Sequence, residues 1–404
     1  MKSHYQVLII GGGTAGIMTA AQLKRKDKSL NIGIVEPAQY HYYQPAWTLV
    51  GAGTYNYEKT KKPMADLIPK GVDWIKDYAS GFDAKNNKIQ TEKSGDISYD
   101  YLVVAPGLVV DTSLIEGLTD ALDKGNVCSI YTDPEHTWKV MSNLKKGKAV
   151  FTQPTTPIKC GGAPQKIAYL ASDHFRKAGV SKDVEVTFAT PGSVIFGVKP
   201  IRETLEKVLK RYDMKFKPFH APFKIDAEKN IIYFKNKAEG ANDEVVEMSY
   251  DMLHLAPPQA APAFVRNSDL SNDAGWLDVD KHSMQHNKYP NIFGLGDVAA
   301  LPTAKTGAAV RKQVPVVVDN ITRLMKENQK GDMAYNGYSS CPLITGYGKM
   351  VLAEFDYDGN FTPDPKLKQM LVFDSSKEHW RLWMLKKYGL PYLYWQKMMK
   401  GKQV

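Results

Sequence analysis

An α/β fold with two nucleotide-type domains is predicted by three observations on this 404-residue sequence. The apolar run YQVLII (5–10) leads into GGGTAG (11–16) and a helical pattern carrying Ile17, Ala20, Ala21 and Leu23. A second apolar run, NIGIVE, ends in Glu36, at the spacing past Gly16 that the acidic residue of a dinucleotide-binding unit has. The stretch SYDYLVVAPG (98–107) recurs as SYDMLHLAPP (249–258), and each copy reads as the strand that closes one domain. From these we place a discontinuous first domain at 1–110 and 290–330, a second Rossmann-like domain at 111–289, and a C-terminal region at 331–404.

In the first strand–turn–helix, Gly11 turns the chain and Gly13 lets the backbone approach a pyrophosphate. Gly16 allows close helix packing, and Glu36 accepts hydrogen bonds from a ribose. Two further strands end in turns, SYDYLVVAPG at Gly107 and NIFGLGDVAA (291–300) at Gly294, Gly296 and Asp297. A helix from about Thr306 to Met325 follows.

In the second domain, the strand at Ala149–Phe151 breaks at Pro154 and Pro157. It delivers Cys160 between Lys159 and the pair Gly161, Gly162, ahead of a helix entered at Pro164. A thiol on a turn at a strand's carboxyl end lies where open α/β sheets bind ligands, and two glycines let a flat cofactor come close. A buried, inert cysteine reads equally well from these residues alone. A glycine fingerprint is missing from this turn, and the next strand, DVEVTFATPG, ends in Thr190 and Pro191 rather than an acidic residue. The pattern for a second dinucleotide is therefore absent. Lys159 and Lys166 flank the helix start, where positive charge lowers a thiol's pKa, unless both are solvated surface. Cys341, far along the chain from Cys160, reads as lying on a Pro-containing turn before a strand.

Fifty-three basic against 43 acidic residues give a net charge of +10, which suits an anionic substrate or surface. With no zinc-finger spacing, basic heptads or RNA-binding signature, nucleic acid is set aside. Three cysteines are too few for a disulfide scaffold. His282 and His286 in HSMQH lack the glutamate of a zinc motif, so no metal is expected, and His41 reads as packing. MKSHYQVLII runs straight into the first motif, so a cleaved leader is not expected, and no apolar run reaches the roughly 18 residues of a membrane span.

Taken together, the first motif, SYDYLVVAPG and FGLGD resemble the FAD-binding half of the two-dinucleotide-domain disulfide reductases. The further set IKCGGAPQK, FGLGD with LPTAKT, and SCPLITGY with AEFDY resembles the sulfide:quinone oxidoreductases of the mitochondrial (type II) branch. The likeness runs from HYQVLIIGGG through HYYQPAWTLVGAG and GVDWIKD to LPYLYWQKMM.

This resemblance implies several roles. FAD is the cofactor, with Asp297 on its ribityl chain and the helix after Thr306 aimed at its pyrimidine ring, its positive end reinforced by Lys305. Thr14, Ala15, Gln44, Ala79, Lys305 and Ala308 fall at positions that contact FAD in that family. Cys160 and Cys341 correspond to a redox-active disulfide: sulfide attacks Cys341 and leaves a persulfide, Cys160 passes two electrons to FAD, and a membrane quinone and a sulfur acceptor complete the turnover. The other large branch carries a third cysteine, sometimes flavin-linked, where this chain has Tyr131 in VCSIYTD. FAD is thus expected to be non-covalent and Cys128 structural.

The tail from Glu378 interleaves Trp380, Trp383, Tyr392, Tyr394 and Trp395 with Lys386, Lys387, Lys397, Lys400 and Lys402 around Gly389-Leu390-Pro391. It reads as an interfacial helix pair on anionic lipid, or else as a helix packed on the domain or a dimer contact. Tyr347, Phe355 and Trp395 are aromatic candidates for a quinone pocket. Two other readings stay open: an NADH:quinone reductase of related fold, and a redox-sensing flavoprotein without turnover.

Overall fold

In the computed structural model, which describes residues 2–402, the chain forms two largely parallel sheets covered by helices. Met1, Gln403 and Val404, at the ends of the 1–110 and 331–404 segments, lie outside the described residues. The first sheet runs Val72–Ile75, Ile32–Val35, His4–Ile10 and Ile97–Val104, all parallel, with Ile292–Gly294 joining Ile97–Val104. Lys88–Thr91 and Ala79–Asp83 extend it as an antiparallel edge. Its central strands are continuous apolar runs because both faces are covered. Val7, Leu8 and Ile9 are all wholly buried.

The second sheet runs Val127–Cys128, Met252–Leu255, Gly147–Thr152, Val184–Ala189 and Lys215–Lys217, again parallel. The echoed sequences occupy matching places. Ile97–Val104 lies parallel beside His4–Ile10, and Met252–Leu255 lies parallel beside Gly147–Thr152. A three-stranded antiparallel sheet between 220 and 249 packs below this second sheet through Ile225, Ile232 and Phe234.

Two helices set up the site. Ala163–Lys177 starts after Gly162 with Pro164 in its first turn, where a missing N–H costs nothing. Gly307–Glu327 is capped by Thr306, whose hydroxyl accepts from the Ala309 N–H at 3.1 Å, and it ends on left-handed Asn328. An antiparallel hairpin, Ser339–Gly346 with Lys349–Phe355, packs on the Ala163–Lys177 helix and carries Cys341 inside its first strand, opposite Ala353. Cys341 is therefore not on a turn. Pro342 is tolerated in a strand of a two-stranded hairpin, where one edge is unpaired.

The tail is one helical rod with a wide turn in its middle: Trp380–Met384 is α-helical, Leu385–Gly389 is π, and Leu390–Gln396 is α-helical again. Here the expectation of a surface-lying helix pair is corrected. Trp383, Lys386, Tyr394, Trp395, Met398 and Met399 are buried, and the apolar ones among them fill the cores of both halves of the molecule. Among the described large apolar and aromatic residues of the tail, the exposed ones are Trp380, Met384, Tyr388 and Tyr392, at the four-residue spacing that makes one helical stripe. The reason is packing: Gly401 approaches the Ala21 backbone so closely that a Cβ there would lie 2.7 Å from its carbonyl carbon.

Candidate active site

The nucleotide turn is built by its glycines. Gly11 has φ +101°, and a Cβ on Gly16 would lie 1.9 Å from the Gly11 carbonyl oxygen, so only hydrogen fits there. Around Gly13 there is open space. Glu36 accepts from the Gly12 N–H at 2.6 Å and from the Ala38 N–H at 2.7 Å, and burial raises its pKa. Gly11, Glu36 and Ala79 line one cleft of about 890 Å³, together with Phe82, Phe264 and Asn267. A cleft of that size, lined by a carboxylate and by the first glycine of the turn, fits the nucleotide half of a dinucleotide.

Other expected contact residues follow the wall of the first sheet. Gly296, with φ +75°, lies against Ala15, and it lines a small recess with Lys305, Thr306 and Ala309 at the start of the Gly307–Glu327 helix. Ala308 is in that helix's first turn. The Asp297 carboxyl is pushed up by burial, against the pull of Lys305 and Lys159. The Lys305 ammonium is occupied by the carbonyls of Asp297 (2.6 Å) and Ala299 (3.1 Å) and sits over the Trp276 ring. Burial lowers its pKa to about 8, so it reinforces the helix end less than a free ammonium does. Thr14 is engaged by the tail, its hydroxyl 2.7 Å from the Tyr394 hydroxyl, which also meets His41 at 2.5 Å. Gln44 begins a short 3₁₀ turn, and Gly107 has φ +74° in open space.

Cys160 and Cys341 are brought together from distant parts of the sequence. Their side chains lie close enough that each thiol perturbs the other's ionisation, and Lys166 Nζ donates to Cys160 Sγ at 3.0 Å. The backbone explains the meeting. The Cys160 N–H donates to the Lys305 carbonyl at 2.8 Å, stitching the thiol's turn to the strip that precedes the Gly307–Glu327 helix. On the other side, a Cβ on Gly162 would stand 2.6 Å from Cys341 Sγ and 2.7 Å from Leu343 Cδ2. Gly162 makes room for Cys341, whereas a Cβ on Gly161 would meet nothing within 4 Å.

The electrostatics are lopsided. The neighbouring Cys341 thiol, then the charge of Lys166, hold the Cys160 thiol well below its ordinary value. Cys160 and burial in turn push Cys341 up. Burial alone drives the Lys166 pKa down, but the sulfur charges outweigh it and carry it up to about 12. Lys166 is 2 % exposed, so it is no solvated surface lysine.

Lys386 is a buried cation near the two cysteines that sequence reasoning misses, because it reads there as one of the lipid-facing cations. It too is 2 % exposed, donates to the Pro45 carbonyl at 2.7 Å, and is held by burial and by Lys166 at a pKa of about 7. The signal that finds it is the outward stripe at 380, 384, 388 and 392, which turns residue 386 inward.

Three remaining candidates separate from the site or from one another. Cys128 is wholly buried, with Sγ 3.6 Å from the Leu253 carbonyl, and burial raises its thiol pKa. Tyr347 and Phe355 pack on the core that contains Cys341, whereas Trp395 lies in the core of the first sheet, so the three do not share a pocket. His286 bonds the Leu270 carbonyl and His282 the Tyr335 carbonyl, and no cluster of three metal-ligating side chains occurs among the described residues.

A family model described as pyridine nucleotide-disulphide oxidoreductase matches residues 5–320. The mitochondrial sulfide:quinone oxidoreductase of Mus musculus is 40% identical over 402 residues, covering 99% of this chain and 87% of that protein. Among solved structures, the sulfide:quinone oxidoreductase of Aquifex aeolicus aligns with a TM-score of 0.79 at 21% identity, over 99% of this chain and 92% of that one. NDH2 from Plasmodium falciparum in complex with NADH aligns with a TM-score of 0.68 at 11% identity, over 98% and 99%. At such identities the two structures speak for the fold alone.

Proposed function

Because the chain belongs to the sulfide:quinone oxidoreductase family, in its mitochondrial branch, we propose that Cys160 and Cys341 are the redox pair through which its electrons enter. The protein is an FAD-dependent oxidoreductase with sulfide and a quinone as substrates. The observation that carries the cysteine assignment is the meeting of the two thiols beside a buried lysine.

In the oxidised enzyme the two sulfurs form a disulfide. Sulfide, as HS⁻, attacks Cys341 Sγ; a new S–S bond forms on Cys341, the bond to Cys160 breaks, and Cys160 leaves as a thiolate. Lys166 holds that thiolate at 3.0 Å and favours Cys160 as the leaving group. FAD, when bound, supplies the two-electron acceptor that connects this sulfur to the quinone. A thiol, sulfite or a second sulfide then takes the outer sulfur from Cys341. Glu36, the Gly11–Gly16 turn and Asp297 would hold the FAD, without a covalent link because Tyr131 stands where an attached cysteine would be needed.

The NADH-dependent reading is disfavoured by the start of the Ala163–Lys177 helix. Pro164 has no N–H to offer a pyrophosphate, and Cys341 and Leu343 fill the space beside Gly162. We assign residues 1–110 and 290–330 to FAD, 111–289 to the half that presents Cys160, and 331–404 to the part that presents Cys341 and meets the bilayer. No described helix is long and apolar enough to cross a membrane. The outward stripe of Trp380, Met384, Tyr388 and Tyr392, with exposed Leu371 and Phe373 nearby in sequence, suits a peripheral seat in the lipid interface.

Single substitutions test the pair. Cys160→Ser and Cys341→Ser each abolish sulfide:quinone turnover, while Cys128→Ser matches the parent. As isolated, Cys341→Ser shows a long-wavelength thiolate–flavin band that Cys160→Ser lacks. Near-normal turnover at low sulfide in either single variant, or a band that follows Cys341, overturns the assignment.

A further inference from the structure

Cys160 has φ +52°, a left-handed conformation that a residue with a Cβ adopts at a cost and holds only when its surroundings enforce it. Three hydrogen bonds do the enforcing. Its N–H is held by the Lys305 carbonyl at 2.8 Å, and its carbonyl accepts from the Ala163 N–H at 2.8 Å. The same carbonyl accepts from the Tyr131 hydroxyl at 3.2 Å. The first two are backbone contacts that any sequence could make, and the third comes from a side chain outside the turn. Tyr131 is 7 % exposed, and its ring is packed in the core that holds Cys341, Ile158, Ala163 and Ile167.

We propose that Tyr131 is a positioning residue for the sulfur chemistry: its hydroxyl pins the Cys160 carbonyl, and the left-handed turn so fixed presents Cys160 Sγ to Lys166 Nζ. A turn released from this bond relaxes toward ordinary φ, which swings the Cα–Cβ bond and lengthens the 3.0 Å contact between sulfur and ammonium. Burial, with the sulfur charges adding to it, raises the Tyr131 pKa well above its ordinary value, so the hydroxyl remains a donor at every working pH. The inference rests on the assignment of Cys160 as the activated thiol. The groups that bear on that thiol are Cys341 on the hairpin, Lys166 on its own helix, Lys386 on the tail, Asp297 at the end of the first sheet, and Tyr131.

The test uses FAD-loaded protein carrying Cys128→Ser and Cys341→Ser, in which Cys160 is the sole thiol. Its alkylation rate by iodoacetamide is followed from pH 5 to 9, with and without Tyr131→Phe, and both proteins are compared again in a Lys166→Met background. Phenylalanine keeps the ring in its packing and removes only the donor. The expected result is an alkaline shift of the profile by about one unit, read as an approximately tenfold slower reaction on the acid side, and no further shift from Tyr131→Phe once Lys166 is gone. Superimposed profiles with and without the hydroxyl overturn the proposal, as does an equal shift in both lysine backgrounds, because the hydroxyl then acts by another route. Lys166 still faces Cys160 in the starting protein after Cys341 is replaced, so if that protein titrates as an ordinary thiol the failure lies in the assignment of Cys160 as a thiol that Lys166 activates.

Discussion

Replacing Gly162 by alanine perturbs the site at one atom. Gly162 has φ −84° and ψ −3°, a helical backbone that alanine adopts freely, so any effect comes from the added methyl. That methyl would stand 2.6 Å from Cys341 Sγ and 2.7 Å from Leu343 Cδ2, where ordinary contact starts at 3.4 Å, so the hairpin must retreat by roughly 0.8 Å. Overpacking of this kind costs about 1–3 kcal/mol. A disulfide tolerates only about 1 Å of spread between its Cβ atoms, so we expect most of the strain to fall on the closed pair rather than on the open thiols. With 30 mV equivalent to about 1.4 kcal/mol for two electrons, the Cys160–Cys341 couple should move about 20 to 65 mV in the oxidising direction. The assay equilibrates parent and variant with a series of dithiol buffers and counts free thiols after acid quenching, with FAD content measured alongside. An unchanged midpoint together with unchanged sulfide turnover would show that Gly162 is not what gives Cys341 its place.

Lys386→Met should stabilise the protein most at low pH. The folded pKa of about 7 against 10.5 unfolded means that the unfolded chain binds the extra proton between those values, so stability rises with pH through that window. Below pH 7 the native lysine carries the whole penalty, on the order of 5 kcal/mol at most. Denaturant midpoints of parent and variant should therefore differ most near pH 6 and converge near pH 10, and a constant difference refutes the buried-amine account. On the outward stripe, Trp380→Glu with Tyr388→Glu should release the protein from liposomes in flotation while sulfide still reduces its FAD. Retention on liposomes would mean that this stripe is not the lipid contact. Ending the chain before Glu378 should instead give poorly folded protein with weak FAD retention, because Trp383, Tyr394, Trp395, Met398 and Met399 are core residues. A stable, FAD-loaded truncate would contradict that packing.

Features whose physics is local can be read from the sequence, and features that depend on distant partners cannot. The roles of Gly11, Gly13 and Gly16 follow from the turn they sit in. Gly162 looks equally local, but its steric partner lies in a hairpin near the other end of the chain, and nothing beside it in sequence names Cys341. Pro342 suggests a turn because proline usually interrupts strands, yet the hairpin has a free edge that accepts it. The tail misleads for a different reason. Aromatic and basic residues interleave alike in interfacial helices and in helices that seal a core, and the four-residue period of Trp380, Met384, Tyr388 and Tyr392 is the clue that one face alone is wet or lipid-facing. Lys386 belongs to the other face, and a buried lysine is rare enough that composition argues against expecting one.

The claim on which the account stands is that electrons enter through sulfur and not through a nicotinamide. An anaerobic titration of the FAD-loaded protein tests this most directly, with flavin absorbance followed as sulfide or NADH is added in stoichiometric steps and a quinone afterwards. Sulfide should bleach the flavin, NADH should leave it oxidised, and quinone should restore the absorbance lost to sulfide. Bleaching by NADH with no response to sulfide would contradict the account.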